Sequence, residues 1–150
     1  MSGDEFDSPV VEVTMLMADA AQVADGKLFI LGGGLRVLPP RPHPVAIALL
    51  VQVPWDRANL PHDWKLELLD EDGMPVFADG RPVLIAGQLE AGRPAGWPPG
   101  TPLQVPLAIN FNAVPVRPGG AYSWRLAVND TSEPSWRVAF RVAPAPVAQT

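Results

Sequence analysis

The stretch YSWRLAVNDTSEPSWRVAFRV, residues 122–142, decides the fold. Tyr122, Trp124, Leu126 and Val128 fall on one phase of a two-residue repeat, with Ser123, Arg125 and Ala127 on the other. After the turn-rich NDTSEPS, the pattern resumes with Trp136, Val138, Phe140 and Val142 on one phase and Arg137, Ala139 and Arg141 opposite. Successive side chains of a strand point to opposite faces, so each segment reads as a strand with one buried and one solvated side. Two such segments separated by polar turn residues predict an antiparallel hairpin.

The same period extends outward along the chain. In DWKLELLDEDG, Trp64, Leu66 and Leu68 share a face before the acidic turn Asp70, Glu71, Asp72, Gly73, where glycine accepts a positive φ without strain. LQVPLAINF, residues 103–111, alternates Leu103, Val105, Leu107, Ile109 and Phe111; Pro106 cannot donate to a ladder, which predicts an edge strand or a bulge. VAIALLVQV, residues 45–53, is apolar on both phases and reads as a central strand, while VVEVTMLM, KLFIL, LRVL and PVLIAGQL supply further strands. No segment sustains a helical repeat. Eight or nine short strands punctuated by Gly and Pro predict an all-β, single-domain antiparallel β-sandwich over residues 9–143, flanked by tails at 1–8 and 144–150. PGGAYSWRL, residues 118–126, places a tyrosine just after a tight turn at the start of a late strand, an immunoglobulin-like cue.

Composition supports a folded chain with many short elements. Nineteen prolines and thirteen glycines approach low-complexity levels, yet they lie between apolar runs and act as turn punctuation. The net charge of −5 disfavours nucleic acid phosphates, so nucleic acid is not an expected partner. The absence of cysteine excludes disulfides, thiolate metal sites and cysteine nucleophiles, and suits a reducing compartment. MSGDEFDSPV lacks the basic start and apolar stretch of a secretory signal, and VAIALLV is far too short to span a bilayer. The expected protein is soluble and cytoplasmic, with no membrane partner.

ADAAQVADGKLFILGGGLRVL, residues 18–38, reads as a small polar turn, a strand and a triple glycine. A phosphate cradle needs its glycines to open onto a helix N-terminus, and Gly32, Gly33 and Gly34 run instead into LRVLPPRP. A kink or bulge is expected there, so no cofactor-binding residue is assigned.

No catalytic or metal constellation emerges. His43 and His62 are the only histidines, without metal-ligand spacing, and both read as surface loop residues. Asp70, Glu71 and Asp72, with Asp79 nearby, are a calcium alternative to a plain hairpin turn, but the EF-hand pattern is absent. Trp64, Trp124 and Trp136 fall on inward phases. Trp55 and Trp97 lie in proline-rich connections, where an exposed indole stacks on a sugar or anchors a protein interface. Arg125, Arg137, Arg141 and Lys65 line outward phases as a basic stripe suited to an acidic partner.

Together, ADAAQVADGKLFILGGG, VPWDRANLPHDWKLELLDEDGMPV and GGAYSWRLAVND resemble an uncharacterised, mainly actinobacterial family of small β-rich proteins, over residues 10–143. The resemblance implies a β-rich fold and no activity, substrate or cofactor. The leading expectation is therefore a non-enzymatic β-sandwich that works through protein contacts, by self-association or as an accessory subunit. Alternatives are a carbohydrate or small-ligand module using Trp55 and Trp97, and a hydrolase of an unrecognised type that sets His43 or His62 beside carboxylates.

Overall fold

A computed structural model describes residues 11–147 of the chain. The strongly apolar run forms β5 (Val45–Val53), held between β1 (Glu12–Ala18) and β10 (Leu103–Phe111) in an antiparallel three-stranded sheet. Its central position follows from burial on both phases. Val45, Ile47, Leu49, Val51 and Val53 enter the core, while Ala46 and Ala48 are buried on the opposite side. β10 is an edge strand of this sheet, as Pro106 requires.

The second sheet has five strands in the order β4 (Val37–Leu38), β12 (Arg137–Val142), β11 (Ala121–Val128), β6 (His62–Asp70) and β9 (Leu84–Leu89). All its pairings are antiparallel except the short parallel one between β4 and β12. The predicted hairpin is present, with Tyr122 opposite Phe140 and Trp124 opposite Val138. Trp64, Trp124 and Trp136 are buried; Trp136 immediately precedes β12, and its carbonyl accepts the Leu126 N–H at 3.0 Å. Both sheets contribute to one apolar core, across which Phe111 of β10 stacks on Trp124 of β11 with ring centroids 4.9 Å apart. Removing each large side chain from water favours the folded state by ~1.5–3 kcal/mol, so the facing phases of β5, β6 and β11 hold the sheets together.

Twelve strand segments are present rather than eight or nine, with one 3-10 turn at Trp55–Arg57 and no α-helix among the described residues. The extra segments are β2 (Ala20–Ala24), β7 (Phe77–Ala78) and β8 (Arg81–Pro82). The region read as a small polar turn is β2, and it pairs with β3 (Lys27–Leu31). Asp25 and Gly26, at φ 52° and 68°, close that pair. Asp79 and Gly80, at φ 53° and 76°, close β7 onto β8 in the same way. Two consecutive positive φ values match the right-handed twist of the flanking strands, which is why Asp-Gly marks these turns. LRVL contributes only β4, and PVLIAGQL contributes β9 from Leu84 onward.

The triple glycine forms a turn that returns the chain to β1. The N–H groups of Gly34 and Leu35 both donate to the Met17 carbonyl at 2.9 Å. Gly32 has φ 67°, and a Cβ there would overlap the Asp19 carboxylate. The expected tail at 1–8 and the last three residues lie outside the described residues. Residues 143–147 have no regular secondary structure, though the Ala143 N–H donates to the Leu38 carbonyl at 2.8 Å. Among the described residues, no helix is long and apolar enough to cross a membrane.

Candidate functional site

The β2–β3 hairpin lies over β5 and β10 and carries the most prominent exposed apolar surface. Its register sets Ala20 opposite Leu31, Ala21 opposite Ile30 and Gln22 opposite Phe29. Small or polar residues on β2 thus leave the bulky side chains of β3 without cross-strand cover. Phe29 is 54% and Leu31 70% exposed, and Val23 and Ile30 are also open to solvent. With Ala20, Ala21 and Gln22, the β3 side chains line a hollow of about 380 Å³. Keeping such groups in water forgoes ~1.5–3 kcal/mol apiece, a standing drive for something to cover them.

Two contacts fix the hairpin to the body. The Asn110 side chain of β10 accepts the Ala21 N–H at 3.2 Å and donates to the Ala21 carbonyl at 2.9 Å, standing in for a strand partner. The Asp19 N–H donates to the Leu31 carbonyl at 3.0 Å. On its far side β3 has no strand neighbour among the described residues. Met74, Phe77, Leu84 and Ile85 are exposed elsewhere, spread over a turn, a two-residue strand and the start of β9.

The aromatic candidates do not share a site. Trp55 is half-buried against the core, and the Arg93 guanidinium lies 4.8 Å from its ring centroid while donating to the Trp55 carbonyl at 2.7 and 3.1 Å. One face of that indole is therefore already occupied. Trp97 is 49% exposed and lines a separate cleft of about 540 Å³ with Gly26, Pro94, Pro102 and Pro106.

The arginines fall on the outer face of the five-stranded sheet, as the alternation requires, but they are not equivalent. Arg125 is neutralised by Glu67 at 2.8 Å. Arg137 stands opposite Arg125 in the ladder, and Arg141 stands opposite Ala121. Like charges directly across a ladder oppose one another, so the Glu67 carboxylate relieves the Arg125–Arg137 pair.

His62 is not on the surface. It is 4% exposed at the start of β6; its Nδ1 accepts from the Asn129 side-chain amide at 3.0 Å, and its Nε2 has no hydrogen-bond partner among the described residues. β6 turns this residue inward on the same phase as Trp64, a consequence of the two-residue period. His43 is half-exposed, with Nε2 3.1 Å from Asp19 Oδ1, and no hydroxyl bonds to that imidazole among the described residues. In the acidic turn, Asp70 Oδ1 accepts the N–H groups of Asp72 and Met74 at 2.9 and 3.0 Å. That carboxylate acts as a turn cap. No group of three or more His, Cys, Asp or Glu side chains suited to a metal ion occurs among the described residues.

The hairpin was the surface that periodicity missed, although Asp25-Gly26 between AAQVA and KLFIL was its local mark. These features define an all-β protein whose two main sheets enclose a core and carry an apolar hairpin outside it. The sequence model of a family of unknown function (DUF6941) matches residues 13–143, and the chain belongs to that family. No curated protein matches the chain.

Proposed function

We propose that this chain is a non-enzymatic, cytoplasmic protein-interaction module of immunoglobulin-like sandwich architecture that binds through the β2–β3 hairpin. The observation that carries the reading is the exposure of Phe29, Ile30 and Leu31 on a hairpin anchored by Asn110. An apolar strand paired in a hairpin and hydrogen-bonded to the body is ordered before binding, so association loses little conformational entropy. The sandwich reading draws on the core shared by the two sheets. It also draws on the Arg117 N–H, which donates to Tyr122 Oη at 2.9 Å in the manner of a tyrosine corner. The acidic net charge favours a protein over a nucleic acid as partner, and the cysteine-free composition suits the cytoplasm.

A photoreactive amino acid at Phe29 tests the reading in living cells. The expected result is protein adducts at this position and none at Arg137 on the polar sheet face; adducts at neither position, or equally at both, would remove it. A second reading, a carbohydrate or small-ligand module, draws on Trp97 above its cleft. Its test is a glycan array probed with the intact chain and with Trp97→Ala.

A further inference from the structure

We propose that the occupant of the hairpin is a second copy of this chain, joined by antiparallel pairing of β3 with β3 about a two-fold axis at Phe29. This rests on the preceding reading that the hairpin is a protein-binding surface, and it names the partner.

The hydrogen-bond phase of the hairpin is self-complementary. A two-residue turn at Asp25–Gly26 makes Ala24 and Lys27 the closing hydrogen-bonded pair. Alternation then directs the backbone of Phe29 and Leu31 toward β2, and that of Leu28 and Ile30 toward the far edge. Ala21, on the matching outward phase of β2, confirms this phase by giving both its backbone groups to Asn110. In the symmetric pairing, Leu28 of each copy stands opposite Ile30 of the other, and the two exchange both their hydrogen bonds. Phe29 meets Phe29 in the close non-hydrogen-bonded position, where cross-strand aromatic pairs are favourable. Lys27 falls opposite Leu31 of the other copy, next to Gly32, where the Asp19 carboxylate lies. Opposite charges therefore bracket both ends of the junction.

Two other strand edges carry devices that discourage such pairing. β10 contains Pro106, and β4 is two residues long and runs into Pro39 and Pro40. From Leu28 to Leu31, β3 carries neither a charge nor a proline. The area sets the strength. A five-residue edge with its exposed side chains covers roughly 400 Å² per copy, half of the ~800 Å² per partner typical of a stable complex, so the dimer is weak and reversible.

The chain contains no cysteine, so Phe29→Cys introduces a sole thiol. At the two-fold axis its Cα atoms lie about 4.5 Å apart, at the short end of disulfide reach. Mild oxidation is expected to link Phe29→Cys into a covalent dimer at least about tenfold faster than Leu31→Cys or Val37→Cys, both exposed positions away from the axis. Sedimentation velocity of the unaltered chain is expected to show a weight-average coefficient rising between about 10 and 1000 µM. That rise should vanish in Phe29→Lys, and in Ile30→Pro, which removes an edge N–H while sparing the bonds to β2. Far-UV circular dichroism confirms that each variant folds, and Phe29→Lys alone decides if the proline variant does not. A strict monomer across the range, or equal linking rates at the three cysteine positions, overturns the self-pairing. If in-cell adducts at Phe29 to a different protein persist in that case, the interaction reading stands and only the second copy falls. If those adducts are also missing, both fall.

Discussion

The Asn110 side chain grips the backbone of Ala21 through both its amide groups, with an acceptor contact of 3.2 Å and a donor contact of 2.9 Å. One side chain thereby does what a neighbouring strand does elsewhere in the sheet, and together with the Asp19 N–H bond to the Leu31 carbonyl it ties the apolar hairpin to the body. Asn110→Ala removes both bonds and leaves the Ala21 N–H and carbonyl to water. The expected cost is ~1–2 kcal/mol, concentrated in the hairpin. Hydrogen exchange checks this: amides of β2 and β3 should lose protection well before those of β5, whereas uniform loss across the chain would show that the contact supports the whole fold.

Trp64 and Gly87 make a second, purely steric relationship. They are direct ladder partners between β6 and β9, and a Cβ on Gly87 would lie 2.7 Å from the Trp64 ring. The glycine is needed for space, since its backbone is an ordinary strand conformation. Gly87→Ala forces the indole out of its packed position, at an expected cost of ~1–3 kcal/mol. Urea denaturation followed by tryptophan fluorescence measures the loss. A midpoint unchanged or raised would mean that the sheet shifts freely to admit a methyl group.

The contrast between β11 and β2 explains how much of this was legible in the sequence. In β11, bulky Trp124, Leu126 and Val128 alternate with Ser123, Arg125 and Ala127, so the buried face is written in side-chain size and charge. In β2, Ala20, Ala21, Gln22 and Ala24 mark neither face strongly, and only the following Asp25-Gly26 betrayed a strand. KLFIL has the composition of a core strand yet lies outside the core. Periodicity identifies a strand but not what covers it, and the cover of β3 depends on small residues opposite and on a contact from Asn110, 89 positions from Ala21. His62 misled for a related reason: its proline-flanked start looked like a loop, but it shares the inward phase of Trp64, Leu66 and Leu68. The arginines were placed correctly by alternation, whereas the Glu67 partner of Arg125 depends on strand pairing that no local pattern contains.

Asp70 decides between a turn cap and a cation site. One of its carboxylate oxygens already accepts two backbone N–H groups, and Gly73 continues the turn at φ 78°. Asp70→Asn keeps a side-chain acceptor and should change stability by less than ~0.5 kcal/mol, while Asp70→Ala should lose ~1 kcal/mol. Millimolar calcium should leave the melting temperature of the unaltered chain unchanged. A calcium-dependent rise that Asp70→Asn abolishes would instead make the acidic turn a binding site.

Tyr122 links the corner of the five-stranded sheet to the loop before it. Its hydroxyl accepts the Arg117 N–H at 2.9 Å, its ring stacks on Phe140 at 5.7 Å, and a Cβ on Gly120 would lie 2.7 Å from that ring. Tyr122→Phe preserves the stacking and removes only the hydroxyl, so the Arg117 N–H loses its partner, at an expected cost of ~1 kcal/mol. Gly120→Ala drives a methyl group into the ring and should cost more, ~1–3 kcal/mol. Tyr122 belongs to the five-stranded sheet and Gly120 immediately precedes its β11, whereas β2 and β3 form a separate hairpin, so neither change should alter the concentration dependence of sedimentation. Equilibrium denaturation and sedimentation of the two variants together separate corner stability from surface association. A variant that loses stability and association in parallel would show that the hairpin depends on the corner, contrary to the independent anchoring by Asn110.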